Sequence, residues 1–364
     1  MKIAIITQPL GHNYGGVLQN YALQQVLINL GHEPITLEKD YRQHISLLRL
    51  IIEFPKRIFS KCILKRRKYI LSEKQYNIHY KKVWKQLSPF VSNFVNYIYV
   101  KNYFSIDIEK HDAFIIGSDQ VWRLKYNGDN LYNMYLSFMP NKVKVKRIAY
   151  AASFGTSEWE YNDEQTSMCS KLIQNFDAVS TREIDGVDLC RKYLNRADAV
   201  TVLDPTLLLE KEDYLNLCKD IPAENENILF AYILDKENNT MIQLERIAKE
   251  KGLKLKFVSA DRDCILSVEE WLAVFRDSKM IVTDSFHGTI FSIIFNKEFY
   301  SISNQSRGRS RFESLLSQFN LLNRLYNNIL DINTSGSTIN WNDIELNKKL
   351  KQEVSIDYLT KNLS

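Results

Sequence analysis

Short apolar runs alternate with longer amphipathic segments along most of this chain, and that alternation constrains the fold more than any other feature. A short apolar run flanked by helices reads as a strand covered on both faces, and such strands build parallel, doubly wound sheets. Lys2 to Thr7, Pro34 to Leu37, Asp112 to Gly117 and Val145 to Ala152 read as strands, with a helix from Val17 to Leu30 ended by Gly31. The stretch from 45 to 105 is mostly helical and aromatic-rich. After a helix at Asp163 to Phe176 the pattern restarts, with strands at Ala178 to Thr181, Val200 to Leu203, Ile228 to Leu234, Leu255 to Ser259, Met280 to Thr283 and Phe299 to Ile302. Helices are expected at Ile184 to Leu194, Asn239 to Lys251, Val268 to Asp277, His287 to Phe295 and Ser310 to Phe319.

The expected architecture is two Rossmann-like α/β lobes with a cleft between them. Residues 1–176 are expected to form the N-terminal lobe with a basic helical insertion at about 45–105, and residues 177–325 the C-terminal lobe. Residues 326–364 are a polar helical tail that crosses back to the first lobe. At 364 residues, each lobe is large enough to bury its own apolar interior.

Several classes are excluded. The apolar fraction of 45% and charged fraction of 25% are those of a soluble globular chain. No stretch reaches the roughly eighteen uncharged apolar residues of a membrane span, and Met1 runs straight into a strand pattern, so a signal peptide is not expected. The five cysteines are scattered and never form a C-x-x-C pair, which argues against a disulfide framework or a zinc site and for a cytoplasmic protein. Neither a metal nor a nucleic-acid partner is expected.

The net charge of +5 is uneven: residues 41–110 hold fifteen Lys/Arg against four Asp/Glu. Within that stretch Lys56, Arg57, Lys61 and Lys65-Arg66-Arg67-Lys68 alternate with Ile58, Phe59, Ile63 and Leu64. Such a basic amphipathic helix suits an anionic membrane surface, so peripheral contact is expected; a solvated helix face is the alternative.

The sharpest local feature is Thr283-Asp284-Ser285-Phe286-His287-Gly288-Thr289, where an apolar strand ends and an apolar helix begins. Ligands of doubly wound sheets bind outside such strand ends, where a helix N-terminus offers free N–H groups to an anion. Gly288 is expected to let a ligand approach the backbone. His287, the only histidine in the second half, is placed to bind an anion or deliver a proton. The alternative is a histidine bonded to a neighbouring loop.

Ser180-Thr181-Arg182-Glu183 occupies the same kind of position, and its arginine suits a carboxylate or phosphate unless it merely pairs with Glu183. Arg307-Gly308-Arg309-Ser310-Arg311 is expected to form an anion clamp on the same edge, with one arginine facing the cleft, unless it is a solvated basic loop. Gly117-Ser118-Asp119-Gln120-Val121-Trp122 ends a first-lobe strand and presents an acid and an indole, a pairing that suits sugars unless it is a structural turn. The loop Gly11-His12-Asn13-Tyr14-Gly15-Gly16 lacks the G-x-G-x-x-G spacing, so a nicotinamide cofactor is rejected.

Together, Asn13-Tyr14-Gly15-Gly16-Val17-Leu18-Gln19-Asn20-Tyr21-Ala22-Leu23, Gly117 to Trp122, Ala151-Ala152-Ser153-Phe154-Gly155, Ser180 to Glu183, Asp204-Pro205-Thr206 and Ser285 to Gly288 resemble the polysaccharide pyruvyl transferase family, over about residues 1–320. The resemblance implies a fold like the B-type glycosyltransferases and phosphoenolpyruvate as co-substrate, with no further cofactor. It implies a pyruvate ketal on a sugar, in capsule, exopolysaccharide or cell-wall biosynthesis. Carried over by position, the family's donor arginine falls on Arg182 and its histidine on His287. A third basic contact, often lysine, falls among Arg307, Arg309 and Arg311. His287 is then the expected acid and Asp119 the acceptor-side base, with Phe286, Gly288, Asn13 and Trp122 as further substrate contacts. The acceptor is expected to be a lipid-linked oligosaccharide. The alternatives are a B-type glycosyltransferase, which releases a nucleotide rather than phosphate, and a silent sugar-binding scaffold, which does not bind phosphoenolpyruvate.

Overall fold

A computed structural model describes residues 1–39, 47–62, 71–140, 142–224, 227–235, 239–259, 266–303, 308–335 and 338–364. The first sheet is parallel throughout, in the order β3-β2-β1-β4-β5-β6-β7. Its strands are β1 (Lys2–Ile6), β2 (Glu33–Lys39), β3 (Tyr97–Val100), β4 (Ala113–Ile116), β5 (Lys146–Ala152), β6 (Ala178–Thr181) and β7 (Val200–Thr201). The second sheet, also parallel, runs β12-β11-β10-β8-β9. It comprises β8 (Ile228–Ile233), β9 (Lys254–Ser259), β10 (Ser278–Thr283), β11 (Glu298–Ile302) and β12 (Leu325–Tyr326).

The expected lobe boundary at 176 and 177 is corrected by this topology. β6 pairs with β5 and β7 with β6, so the chain leaves the first sheet only after Thr201. A doubly covered strand has the same apolar look in either sheet, and nothing local says which sheet it joins. Arg182, which follows β6, therefore belongs to the first lobe. The separate interiors are corrected as well. One apolar cluster contains Ile3, Val17 and Leu18 of the first lobe together with Trp271, Ile290 and Phe291 of the second.

That continuity depends on helix α1 (Tyr14–Asn29), which is buried along nearly its whole length. Its buried amides are bonded on several sides, as most buried polar groups are, with Asn20 Nδ2 left without a hydrogen bond. Gln19 Nε2 donates to Thr7 Oγ1 and Gly16 O, both at 3.0 Å, and its Oε1 accepts from Ser118 Oγ at 3.0 Å. Thr36 Oγ1 donates to Asn20 Oδ1 at 2.9 Å, and Gln24 Nε2 donates to Thr36 Oγ1 and Asn96 O, both at 2.8 Å. α1 thus locks the first-sheet strands to one another while its first turn meets the second lobe. There Tyr14 stacks on Trp271 at 5.2 Å between ring centroids and donates to Leu266 O at 2.8 Å.

The insertion carries α2 (Leu47–Cys62) and α3 (Ser72–Phe94). Arg57 departs from the expected solvent-facing basic stripe: it is buried, forking onto Glu73 of α3 through two 2.7 Å hydrogen bonds and onto Glu53. Lys56 and Lys61 are exposed, whereas Ile63, Leu64 and Lys65 to Lys68 lie outside the described residues. Among the described residues, no helix is long and apolar enough to cross a membrane.

The final helix, α12 (Trp341–Leu363), buries Ile344, Lys348, Gln352, Ser355, Leu359 and Leu363, a single face at helical spacing. It lies against the first lobe: Tyr358 OH donates to Ala149 O at 2.9 Å, Gln352 Nε2 to Leu207 O at 2.8 Å, and Leu203 N to Ser355 Oγ at 3.0 Å. Leu359→Ala is expected to cost about 2–5 kcal/mol in chemical denaturation. Leu346→Ala, on the same helix but 64% exposed, is expected to stay within about 0.5 kcal/mol; equal losses would mean that α12 is not docked by this face.

Candidate active site

The carboxyl ends of both sheets face each other across a cavity of about 710 Å³. Its walls include Gln8, His12 and Asn13 after β1, Asp119 and Gln120 after β4, Leu234 and Asp235 after β8, and Asp284 to His287 after β10. Arg311 of α11 (Arg309–Gln318) and Tyr76 and His79 of α3 complete the main features.

His287 lies in the first turn of α10 (Phe286–Ile294), whose cap, Ser285, accepts from Gly288 N at 3.2 Å. Across the cleft, the ring rests on the first turn of α1: a Cβ added to Gly15 would stand 2.1 Å from His287 Nδ1. The positive ends of two helices therefore converge on one imidazole. Behind it, Nε2 is 3.5 Å from Asp204 Oδ2.

Asp204 follows β7 and is fully enclosed. Its carboxylate accepts from Thr206 N at 3.0 Å, Thr206 Oγ1 at 2.6 Å and Arg182 Nη1 at 2.8 Å. Burial alone would raise its pKa, but the His287 contact, the Arg182 charge and the Thr206 hydroxyl outweigh burial and hold it well below the usual carboxylate range. Asp204 is thus an anion at neutral pH.

Arg182 is buried behind this pair and does not line the cavity. Nε is 3.2 Å from Glu183 Oε1, Nη1 bonds Asp204, and Nη2 is 3.6 Å from Asp119 Oδ1. Burial would lower its pKa, but Glu183, Asp204 and Asp119 together raise it, so the charge is permanent. Arg182 is therefore held from behind the cavity wall, with Nε and Nη1 on protein carboxylates and Nη2 without a hydrogen bond. Its guanidinium lies 4.3 Å from the Phe286 ring centroid, and Arg311 lies 5.4 Å from the same centroid. Phe286 is thus held between two cations. Burial and the neighbouring Arg182 push Arg311 down to about 10, which leaves it charged at neutral pH.

Other expectations are redistributed. Arg309 turns away from the cavity to pair with Glu313 at 2.6 Å, and Arg307 lies outside the described residues. Trp122 is fully buried, stacks on Tyr135 and donates to Met134 O at 3.0 Å, so it offers no face to a sugar. Asn13 lines the cavity but its carbonyl caps α1, accepting from Gly16 N at 2.7 Å. Gly288 is required by Thr283, whose Oγ1 would stand 2.4 Å from an added Cβ, rather than by a ligand. Asp119 does line the cavity, held at φ 70°. Sequence reasoning gave no role to Asp204, although an acid ending an apolar run was the available signal. It had no signal for Tyr76 and His79, which only the packing of α3 brings to the cleft. Among the described residues no group of three or more His, Cys, Asp or Glu is placed to hold a metal ion.

A sequence profile described as Polysaccharide pyruvyl transferase matches residues 13–306. The chain belongs to the polysaccharide pyruvyl transferase family. The match covers every motif converging on His287, from Asn13 to Gly288. No curated protein matches the chain significantly. The solved structure of Arabidopsis thaliana UGT89C1 complexed with UDP is 10% identical, with a TM-score of 0.50 over 99% of this chain and 99% of that one. The Neisseria meningitidis UDP-GlcNAc 2-epimerase bound to UDP-GlcNAc is also 10% identical, with a TM-score of 0.47 over 99% of this chain and 100% of that one. At such identities the likeness concerns fold alone, and this pyruvyl transferase family member has the two facing lobes of the B-type glycosyltransferase fold.

The ionised state of Asp204 has a measurable consequence. A carboxyl whose folded pKa is depressed contributes stability above its unfolded value, near 3.9, and that stability fades as pH falls. Asp204→Asn is expected to lose roughly 3 kcal/mol at pH 7, because it breaks a buried ion pair. The gap to wild type should narrow steadily below about pH 4, where the unfolded chain takes up a proton that the native carboxylate does not. A gap unchanged by pH in paired denaturation curves would show that Asp204 is neutral.

Proposed function

We propose that the protein transfers the pyruvyl group of phosphoenolpyruvate to two hydroxyls of one hexose, closing a ketal and releasing phosphate during surface polysaccharide biosynthesis. The observation that carries this reading is one imidazole held between the N-termini of α1 and α10, with a buried carboxylate behind it and Arg311 beside it. The donor's carboxylate and phosphate need cations and free N–H groups, and Arg311 and the first turn of α10 supply both. Arg182 acts indirectly, by fixing Asp204 and the Phe286 ring.

In this scheme His287 gives its proton to the methylene carbon, leaving an oxocarbenium-like centre at the adjacent carbon. The first sugar hydroxyl adds there and passes its proton to Asp119. Phosphate then leaves with its bonding electron pair and takes up the proton held by Asp119, regenerating the cationic centre. The second hydroxyl adds, its proton returns to His287, and the ketal closes with both side chains restored. Asp204, 3.5 Å behind Nε2, holds the ring in place for the first step. No cofactor takes part. The acceptor sugar is carried on a lipid, and the protein works at the inner face of the membrane.

Incubation of candidate acceptors with enzyme and phosphoenolpyruvate should yield a product heavier by one pyruvate less one water, with stoichiometric inorganic phosphate, in mass spectrometry. Transfer of a glycosyl unit with release of a nucleotide would replace this reading by a glycosyltransferase. His287→Ala is expected to reduce turnover about a hundredfold or more with the fold intact. Turnover near wild type would remove His287 as the acid, and a change confined to donor affinity would make it an anion ligand.

A further inference from the structure

Helix α2 is mounted with its polarity inverted. On an amphipathic helix of a globular protein the apolar face turns inward. Here the face turned inward is charged: Arg57 is buried and forks onto Glu73 of α3 and onto Glu53 of its own helix. Arg57 holds the Glu73 carboxyl down at about 2, so this attachment is ionic at any physiological pH. The face turned outward is apolar: Ile51, Ile52, Phe54, Ile58 and Phe59 are 70, 68, 41, 38 and 49% exposed.

Helical spacing, at about 100° per residue, sets these five side chains and Pro55 on one continuous arc, and it sets Lys56 at one border of the arc and Lys61 at the other. Both lysines are exposed. Five large apolar side chains on one exposed arc form a patch of the kind that soluble surfaces avoid unless it meets a partner. Lysines on both borders specify which partner. An apolar arc with cations along its edges matches the acyl–headgroup boundary of an anionic bilayer, where the arc enters the hydrocarbon and the ammonium groups stay with the phosphates. The surplus of positive charge over residues 41–110 acts in the same direction.

We infer that α2 is a membrane-interface helix that seats its Ile51–Phe59 arc in an anionic bilayer and thereby holds the mouth of the catalytic cavity at the lipid surface. The location follows from the clamp. Glu73, which Arg57 grips, lies one helical turn before Tyr76, and Tyr76 lines the cavity. The attachment itself is independent of the chemistry; only its use, delivery of a lipid-linked acceptor, rests on the proposed function. Attachment is chiefly apolar insertion, with the lysines selecting anionic lipid, because the arginine expected to join the basic stripe is spent inside the protein.

Co-sedimentation of the full chain with vesicles of phosphatidylglycerol and phosphatidylcholine tests the inference. Wild-type protein should pellet with mixed vesicles, bind pure phosphatidylcholine severalfold less, and remain partly bound in high salt. The double variant Ile51→Glu, Ile52→Glu changes two side chains that are already exposed, so its thermal unfolding should match wild type while its partition onto mixed vesicles falls at least tenfold. Lys56→Gln with Lys61→Gln should remove the preference for anionic vesicles and leave the residual apolar binding. Wild-type protein that stays in the supernatant, or a double variant that pellets as wild type does, overturns the inference. So does a wild-type dimer, in light scattering, that Ile51→Glu, Ile52→Glu dissolves, because the arc is then a contact between copies. Turnover on a soluble acceptor should be the same in wild type and the Ile51→Glu, Ile52→Glu variant. Failure of both on every acceptor would sink the proposed reaction and leave the vesicle result standing.

Discussion

A carboxylate taken out of water is held ionised only where cations and hydrogen-bond donors surround it, and Asp204 shows how much of this molecule is arranged to meet that requirement. Its partners come from three places: Arg182 after β6, Thr206 in the turn that follows it, and His287 at the head of α10. The first two belong to the N-terminal half of the fold and the third to the C-terminal half. One buried charge therefore takes partners from both lobes and stands directly against the imidazole at their junction. An assembly that moved the lobes apart would take the imidazole from Asp204 and the Phe286 ring from Arg182, so the cluster acts as a registration point as well as a chemical one.

Glycines complete this registration, and each does so by close approach of protein to protein. Gly15 lets α1 reach the His287 ring. Gly308, at φ 80°, is even more constrained, because an added Cβ would stand 2.0 Å from Gly155 O. That contact joins the segment before α11 to the loop after β5, and it brings Arg311 to the Phe286 ring while Arg309 points out. Gly15 and Gly308 are thus places where the lobes touch. The third, Gly288, packs on Thr283 within its own lobe.

Much of this was legible in the sequence, for a definite reason. Strands covered on both faces leave uninterrupted apolar runs, and the residues just past them fall by geometry on the carboxyl edge of a sheet. His287, Arg182 and Asp119 were placed correctly at strand ends on that ground alone. Sheet membership was not legible, since β6 and β7 look the same whichever sheet they join. Nor were the edge strands β3 and β12, which are short and only partly buried, so their sequences carry little pattern. Trp122 was misread because an indole beside an acid looks the same whether it faces a sugar or a core; the stacking on Tyr135 decides it. The difference between Arg309 and Arg311, two positions apart on one helix, is a matter of which face turns inward, and that depends on the Gly308 contact.

The site divides along the same line. Its chemistry-bearing centre comes from strand ends whose motifs run through the whole chain, whereas one wall comes from a single insertion. On α3, Tyr76, Tyr80 and Trp84 recur every fourth residue and stack in sequence, with ring centroids 6.3 and 6.5 Å apart. Tyr76 OH lies 2.6 Å from His12 Nε2, and Tyr80 sits against Gly11, so this row of rings is braced on the loop after β1. Nothing in the Asp204, Arg182 and His287 cluster depends on which side chains stand along that row. The wall can therefore change its side chains while the helix N-termini, the buried carboxylate and the imidazole keep their arrangement.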